Sequence, residues 1–177
     1  VCTGSIHIDG NDILLIDFEY IISGINPETS VSFRRMEEKV AAGRGDNVVI
    51  FVEDSAFIRN TIAGQLAKLG YSQLKVFENG QDACDHIRGQ LDTARQQGPA
   101  GAGLPAMVVT DIEMPKMDGL ALCRTIKKEL QLDTVPVVLF SSLINEQMAF
   151  KCREVGADAF LTKPRVDELV GVMDRLL

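Results

Sequence analysis

The sequence has 177 residues, and 46% of them are hydrophobic, which suits one domain with an appendage or two very small domains. It carries 18 basic and 25 acidic residues, so it lacks the basic excess that nucleic-acid binding normally requires. The 4 cysteines stand singly, without the clustered spacing of a zinc site, and no apolar run approaches the roughly 18 residues of a membrane span. We therefore expect a cytoplasmic protein that neither binds nucleic acid nor inserts into a membrane.

Residues 1–30 differ in kind from the rest. SIHI and ILLI flank Asp9-Gly10-Asn11-Asp12, which predicts a β-hairpin with those four residues in its turn, and DFEYII favours the start of a short helix. Because one hairpin is marginal by itself in water, we expect self-association through residues 1–30. Residues 31–46 are predicted to be a charged linker that is helical up to Ala42.

From Asn47 onward, β-branched runs alternate with stretches of helical periodicity. The runs are NVVIFV, LKVF, AMVVT, VPVVLF and AFLT, and each precedes a stretch whose apolar residues recur three or four apart. Five strand-helix units in strict alternation predict an α/β fold. We expect a doubly wound, five-stranded parallel sheet, with the hairpin and helix as an N-terminal appendage.

The sequence also indicates where helices begin and end. Ser55 is expected to cap the first helix, Gly70 to end it, and Asp118 to cap the third. The second and fourth helices are predicted for residues 81–95 and 146–155. The last helical face carries Leu169, Val172, Met173 and Leu176.

One segment interrupts the alternation. QQGPAGAGLP, Gln96 to Pro105, joins the second helix to the third strand and is far richer in Gly, Ala and Pro than its neighbours. Such a composition is typical of a flexible surface insertion, which we prefer to a functional loop.

Charged side chains follow three of the predicted strands. Glu53 and Asp54 follow the first strand, Asp111 the third, and Lys163 the fifth. Since the carboxyl ends of parallel strands meet at one edge of the sheet, these four groups are expected to converge there. Ser141 places a hydroxyl at the end of the fourth strand.

This set of groups has the parts needed for phosphoryl transfer to a carboxylate. A carboxylate attacks phosphorus when a divalent cation neutralises the donor oxygens and a fixed amine holds the developing charge. Two carboxylates ~5 Å apart repel each other by about 3 kcal/mol at an effective dielectric near 20, so a cation is favoured between them. Mg²⁺ suits Asp54 and Asp111, with Glu53 bridged through water and Lys163 left for the phosphoryl group.

The chain resembles the receiver domains of two-component response regulators from about Asn47 to Leu177. The resemblance is carried by Glu53-Asp54, TDIEMPKMDG, the hydroxyl after the fourth strand and GADAFLTKP. It implies a flavodoxin-like, CheY-like fold with Asp111 as phosphoacceptor and Lys163 as phosphate-binding amine. A sensor histidine kinase would donate the phosphoryl group, and the domain would catalyse only its own phosphotransfer and dephosphorylation.

The same resemblance implies further roles at three positions. The backbone carbonyl of Glu113 would complete the metal ligands, and Ser141 and Phe160 would be the switch hydroxyl and switch aromatic. The family more often has Thr at the first switch position and often has Tyr at the second. Switching is therefore expected with an altered equilibrium.

The opening segment IHIDGNDILLIDFEYII is similar to the last hairpin and helix of CheW-like coupling domains. A coupling domain followed by a receiver is the layout of CheV-type chemotaxis proteins. The division expected from this resemblance is a coupling-domain fragment at 1–30, a linker at 31–46 and a receiver at 47–177. The expected partners are a CheA-like sensor kinase and, through the coupling domain, chemoreceptors.

Two other functions remain open at this point. The chain could be a phosphohydrolase that uses Asp111 as a covalent nucleophile, with Glu113, two residues on, as the general acid-base. It could instead be a phosphate-sink scaffold, in which phosphorylation changes no partner's affinity.

Overall fold

The structure is a computed structural model that describes residues 2–8, 11–16, 43–97, 103–142, 144–163 and 165–177. Two N-terminal strands, β1 (Cys2–Ile8) and β2 (Asn11–Ile16), pair antiparallel in a sheet of their own. The predicted hairpin is confirmed, but Asn11 and Asp12, which were expected in the turn, belong to β2 and pair with Ile8 and His7. The predicted helix at DFEYII lies outside the described residues.

The remaining strands form one five-stranded sheet, flanked by helices. They are β3 (Val49–Val52), β4 (Leu74–Phe77), β5 (Met107–Thr110), β6 (Val137–Ser141) and β7 (Ala159–Thr162). The helices are α1 (Ala56–Lys68), α2 (Gly80–Gln97), α3 (Gly119–Arg124), α4 (Glu146–Glu154) and α5 (Val166–Leu176). The predicted strict alternation of strand and helix is confirmed.

The sheet is entirely parallel, with strand order β4-β3-β5-β6-β7. The chain winds outward from β3 first to one side and then to the other, so the winding direction reverses between β3 and β5. In open α/β sheets the site lies at the carboxyl edge of such a reversal. The topology therefore places Glu53, Asp54 and Asp111 beside one another.

The sheet separates two apolar layers. Alternate residues of the central strands, such as Phe51 and Val109, pack against α1 and α5, whereas their neighbours Val52 and Val108 pack against α2 and α3. Both faces are thus covered, which explains why these strands are continuous β-branched runs with no polar alternation. The strand ends are held by packing on both sides.

Local signals for the helix ends are confirmed. The Ser55 and Asp118 side chains accept hydrogen bonds from the amides of Ile58 and Ala121 at the starts of α1 and α3. Gly70, with φ 99°, follows the C-cap of α1 in the left-handed conformation that glycine adopts at little cost.

The third helix departs from the regular helix expected. After Arg124 it continues as a π-helical turn over Thr125–Glu129, in which the Leu130 amide donates to the Thr125 carbonyl. Within this turn Lys127 is buried, and its ammonium lies 2.9 Å from an Asp158 carboxylate oxygen. A π-helical turn is wider than an α-helical one and changes the directions of its side chains. Here it accompanies the ion pair of Lys127 with Asp158, which the periodicity of the sequence does not reveal.

The segment predicted as a linker is described only from Gly43 onward. Arg44–Asp46 form a short 3₁₀ turn, and Arg44 is buried against the sheet domain. Packing on this domain therefore begins before Asn47, while residues 31–42 and the middle of the predicted insertion, 98–102, lie outside the described residues. Among the described helices, none has the length and apolar character to cross a membrane.

Candidate phosphoacceptor site

Four charged groups meet at the carboxyl edge of the sheet. The Lys163 ammonium, just beyond β7, donates hydrogen bonds to Glu53 Oε2 and, at 2.7 Å, to Asp111 Oδ2. Glu53 and Asp54 follow β3 directly, and Asp111 follows β5. The convergence expected from the three strand ends is therefore observed.

Burial distinguishes the three acids. Glu53 is 1% exposed and Asp111 is 7% exposed, whereas Asp54 is exposed. Burial raises the pKa of Glu53 above its ordinary value, although the hydrogen bond and charge of Lys163 act in the opposite direction. The ammonium between Glu53 and Asp111 offsets the repulsion between these two carboxylates.

The acids have the composition of a site for a hard cation. One ligand oxygen from each of Glu53, Asp54 and Asp111 lies within 4.8 Å of the others. Mg²⁺ prefers such oxygens, usually takes one or two carboxylates and keeps several waters. Glu53 and Asp111 both accept hydrogen bonds from Lys163, so Asp54, the exposed acid of the three, is the carboxylate most open to direct contact with a cation.

Backbone contacts fix the Asp111 carboxylate. The Ile112 amide donates to Asp111 Oδ1 at 2.6 Å, so each carboxylate oxygen has its own donor. The Asp111 amide donates to the Val52 carbonyl, and the Thr110 hydroxyl donates to the Asp111 carbonyl at 2.9 Å. The side chain is thereby held in one orientation before any substrate approaches.

Sequence reasoning missed the importance of two glycines. A Cβ atom at Gly119 would overlap the Asp111 carbonyl oxygen, and the Gly119 amide donates to the Ile112 carbonyl at 2.9 Å. A Cβ atom at Gly80 would lie 2.6 Å from the Met117 carbonyl oxygen. Gly119, which follows KMD in the sequence, could have been recognised, since close approach of two backbone segments is a common reason for glycine in a turn.

Arg59 was also missed. Its Nη1 donates to the carbonyls of Glu53 at 2.7 Å and Asp54 at 2.9 Å. The clue was a cation on the first turns of the helix that follows the acidic pair. Arg59 therefore fixes the backbone from which both acids project.

The remaining predicted residues lie on β6, on β7 and in the loop after β5. Ser141 is the last residue of β6 and is buried, and its carbonyl accepts from the Lys163 amide. Phe160, on β7, is half-buried on the layer that contains α4, with the Arg153 guanidinium carbon 5.7 Å from its ring centre. Glu113 is exposed on the loop after Asp111.

A comparison with known families decides the classification. Residues 49–174 match the response regulator receiver domain, and this match includes all the predicted site residues. The chain belongs to the response regulator receiver domain family. The receiver is thus a domain of two-component signalling, and the Lys163 bridge between the two acids lies within it.

Relatives extend the similarity beyond the receiver. The chain is 26% identical over 176 residues to chemotaxis protein CheV3 of Helicobacter pylori, a match that covers 99% of this chain and 54% of that protein. It is 29% identical over 154 residues to a gliding motility regulatory protein of Myxococcus xanthus, covering 85% of this chain and 18% of that protein. The chain therefore spans about half or less of the curated relatives it matches.

Solved structures agree with the receiver fold. The receiver domain of the Arabidopsis thaliana histidine kinase CKI1, solved with Mg²⁺, has a TM-score of 0.68 and 25% identity, and the match covers 75% of this chain and 92% of that one. A histidine kinase receiver domain from Syntrophus aciditrophicus has a TM-score of 0.60 and 31% identity, with coverage of 74% and 89%. The five-stranded, CheY-like fold predicted from the sequence is confirmed.

Proposed function

We propose that this chain is the phosphoacceptor of a phosphorelay, in which a sensor histidine kinase phosphorylates Asp111 in the presence of Mg²⁺. The observation that carries the proposal is the Lys163 ammonium, which donates hydrogen bonds to both Glu53 and Asp111. A carboxylate oxygen of Asp54 also lies within 4.8 Å of an oxygen of each of these acids. A nucleophilic carboxylate, a cation site and a fixed amine are the groups that phosphoryl transfer requires.

Each group has a role in the transfer. A bond forms between an Asp111 carboxylate oxygen and phosphorus as the bond from phosphorus to the kinase histidine nitrogen breaks, and the electron pair of that bond remains on the imidazole. Bound Mg²⁺ would neutralise the phosphoryl oxygens. Asp54, Asp111 and the Glu113 carbonyl would hold the cation, and Lys163 would turn from Asp111 toward a phosphoryl oxygen.

Readout is proposed to pass through Ser141, at the end of β6, and Phe160, on β7. The Ser141 hydroxyl would donate a hydrogen bond to a phosphoryl oxygen. The β6–α4 loop would follow Ser141, and Phe160 would move inward. A phosphoryl group shifts such an equilibrium only through contacts that differ between the two states. The Ser141 hydroxyl has no hydrogen bond within the described part of the chain, which supports this role.

The pathway we propose is chemotaxis. The support is the CheV3 match over nearly the whole chain together with the N-terminal hairpin, which we interpret as part of a CheW-like coupling domain. The proposed division is a coupling-domain fragment at 1–30, a linker at 31–46 and a receiver at 47–177. The proposed partners in the cytoplasm are a CheA-like kinase, chemoreceptors and, through residues 1–30, a second copy of the chain.

The deciding experiment is incubation with acetyl phosphate, with and without Mg²⁺, followed by intact-mass analysis. We expect one phosphoryl adduct per chain, lost on chelation of the cation and in Asp111→Asn. Catalytic turnover of phosphate monoesters would instead support the hydrolase. An adduct that leaves the affinity for the kinase unchanged would support the phosphate sink.

A further inference from the structure

The turn before the sheet domain is anchored by a buried guanidinium. Arg44 is 6% exposed, and its Nε and Nη2 donate to the two carboxylate oxygens of Asp174 at 2.8 Å and 2.5 Å. Nη1 donates to the Leu69 carbonyl at 2.6 Å. A two-pronged pair of this geometry is both stronger and more directional than a single ionic contact.

Tyr71 completes the cluster. Its hydroxyl donates to Asp174 Oδ1 at 2.7 Å, and the Arg44 guanidinium carbon lies 5.3 Å from its ring centre. The guanidinium is therefore enclosed by a carboxylate, a carbonyl and an aromatic face. Arg44 precedes the segment that matches the receiver family, so these contacts join residues outside the family match to residues within it.

The cluster joins the two ends of the sheet domain. Arg44 lies five residues before β3, at the amino edge of the sheet, and Asp174 lies in the last turn of α5. The helix begins at Val166, three residues after Lys163, and its 11 residues span about 16 Å. The helix thus runs from three residues after Lys163 to the residue that holds Arg44.

We infer that Arg44, Asp174 and Tyr71 form a latch, which fixes the turn Arg44–Asp46 to the end of α5, and that α5 transmits displacement of the loop at Lys163 to this turn. The latch itself is independent of the proposed function. Transmission through α5 rests on that function, because it requires the site to bind its ligands. Through the latch, phosphorylation of the site would displace the segment that precedes Gly43.

Trypsin provides a direct test, because it must take the Arg44 guanidinium into its own pocket to cleave the Arg44–Gly45 bond. The full chain is digested under native conditions, and cleavage at this bond is timed by mass spectrometry. In Asp174→Asn we expect cleavage to be about tenfold faster, since the guanidinium loses its charged partner. The matched control is Arg88→Gln, which removes an exposed pair with Glu129 and should leave the rate unchanged.

Tyr71→Phe is the second variant, which keeps the ion pair and removes one hydroxyl donor. A smaller acceleration, of about twofold to threefold, is expected there. Cleavage after Arg124, inside a helix, reports global unfolding in each protein. Cleavage at Arg44 that is as fast in the wild type as in both variants would overturn the latch.

Transmission is tested by adding Mg²⁺ and beryllium trifluoride, with binding followed by calorimetry. We expect occupancy to change the wild-type rate at Arg44 at least twofold and to leave the rate in Asp174→Asn unchanged. Binding without any change in the wild type would overturn transmission alone. Absence of binding would refute the proposed function and transmission together, whereas the ligand-free comparison would still decide the latch.

Discussion

The Lys163 ammonium donates to Asp111 Oδ2 at 2.7 Å while it also pairs with Glu53, so one cation serves two acids. The amine and a metal ion would therefore stabilise the same carboxylate charge. Lys163 should therefore have opposite effects on two steps. It should weaken the binding of a metal ion, and it should speed phosphoryl transfer.

We expect Lys163→Gln to raise the affinity for Mg²⁺ several-fold and to lower the rate of phosphorylation by acetyl phosphate at least tenfold. The affinity rises because two acids lose their ammonium, and the rate falls because phosphoryl charge is left unpaired. Calorimetry and intact-mass kinetics measure the two effects. Lys151→Gln, at an exposed position on α4, is the matched control. Parallel loss of affinity and rate would contradict this assignment.

The two acids after β3 are expected to differ in importance for the cation. Asp54→Asn should weaken Mg²⁺ binding about tenfold or more, because the proposed direct ligand loses its negative charge. Glu53→Gln should weaken it less, because Glu53 is held by Lys163 and the Ser55 amide. Calorimetric titration of both variants checks this order. A larger effect in Glu53→Gln would show that Glu53 is the direct ligand.

Gly119→Ala is expected to destabilise the domain by about 1–3 kcal/mol, since the added methyl group must displace the Asp111 backbone. Phosphorylation should fall as well, because the displaced residue is the proposed acceptor. Gly64→Ala and Gly89→Ala are matched controls, as both lie in helices with open space around the added atom. They should stabilise by up to about 1 kcal/mol. Urea unfolding of the three variants measures these free energies.

The ion pair of Arg44 with Asp174 predicts a pH dependence of stability. Burial alone would raise the pKa of Asp174, but hydrogen bonds from Arg44 and Tyr71 and the charge of Arg44 hold it below its ordinary value. The folded state therefore binds the proton less readily than the unfolded state. The resulting stability is fully present above about pH 4 and is lost as pH falls through the lowered pKa.

Asp174→Asn should accordingly reduce the free energy of unfolding by about 1–3 kcal/mol at pH 7. The difference from the wild type should shrink as pH falls below about 4, because the Asp174 carboxylate of the unfolded state binds its proton before that of the folded state. Urea unfolding across this range provides the measurement. A difference that stays constant down to pH 3 would indicate lost packing and no contribution from the charge.

Much of the site could be predicted because it follows from the alternation of strands and helices along the chain. Once the runs before Glu53, Asp111 and Lys163 are assigned to parallel strands, their ends must share one edge. Gly119 and Arg59 act through backbone contacts inside a loop, which side-chain patterns do not show. Lys127 and Arg44 look like ordinary surface cations in the sequence. Their burial depends on partners elsewhere in the chain, and Asp174 is 130 positions from Arg44.

The distance along the chain between the partners of the site has a consequence for folding. Glu53 and Lys163 are 110 positions apart, and β7 is the last strand of the sheet to be synthesised. During translation β3 and β5 can pair first, and their acids then face each other without an ammonium until the final strand emerges. Contacts of such long range form late and slowly. The candidate site should therefore be completed only after β7 has been synthesised.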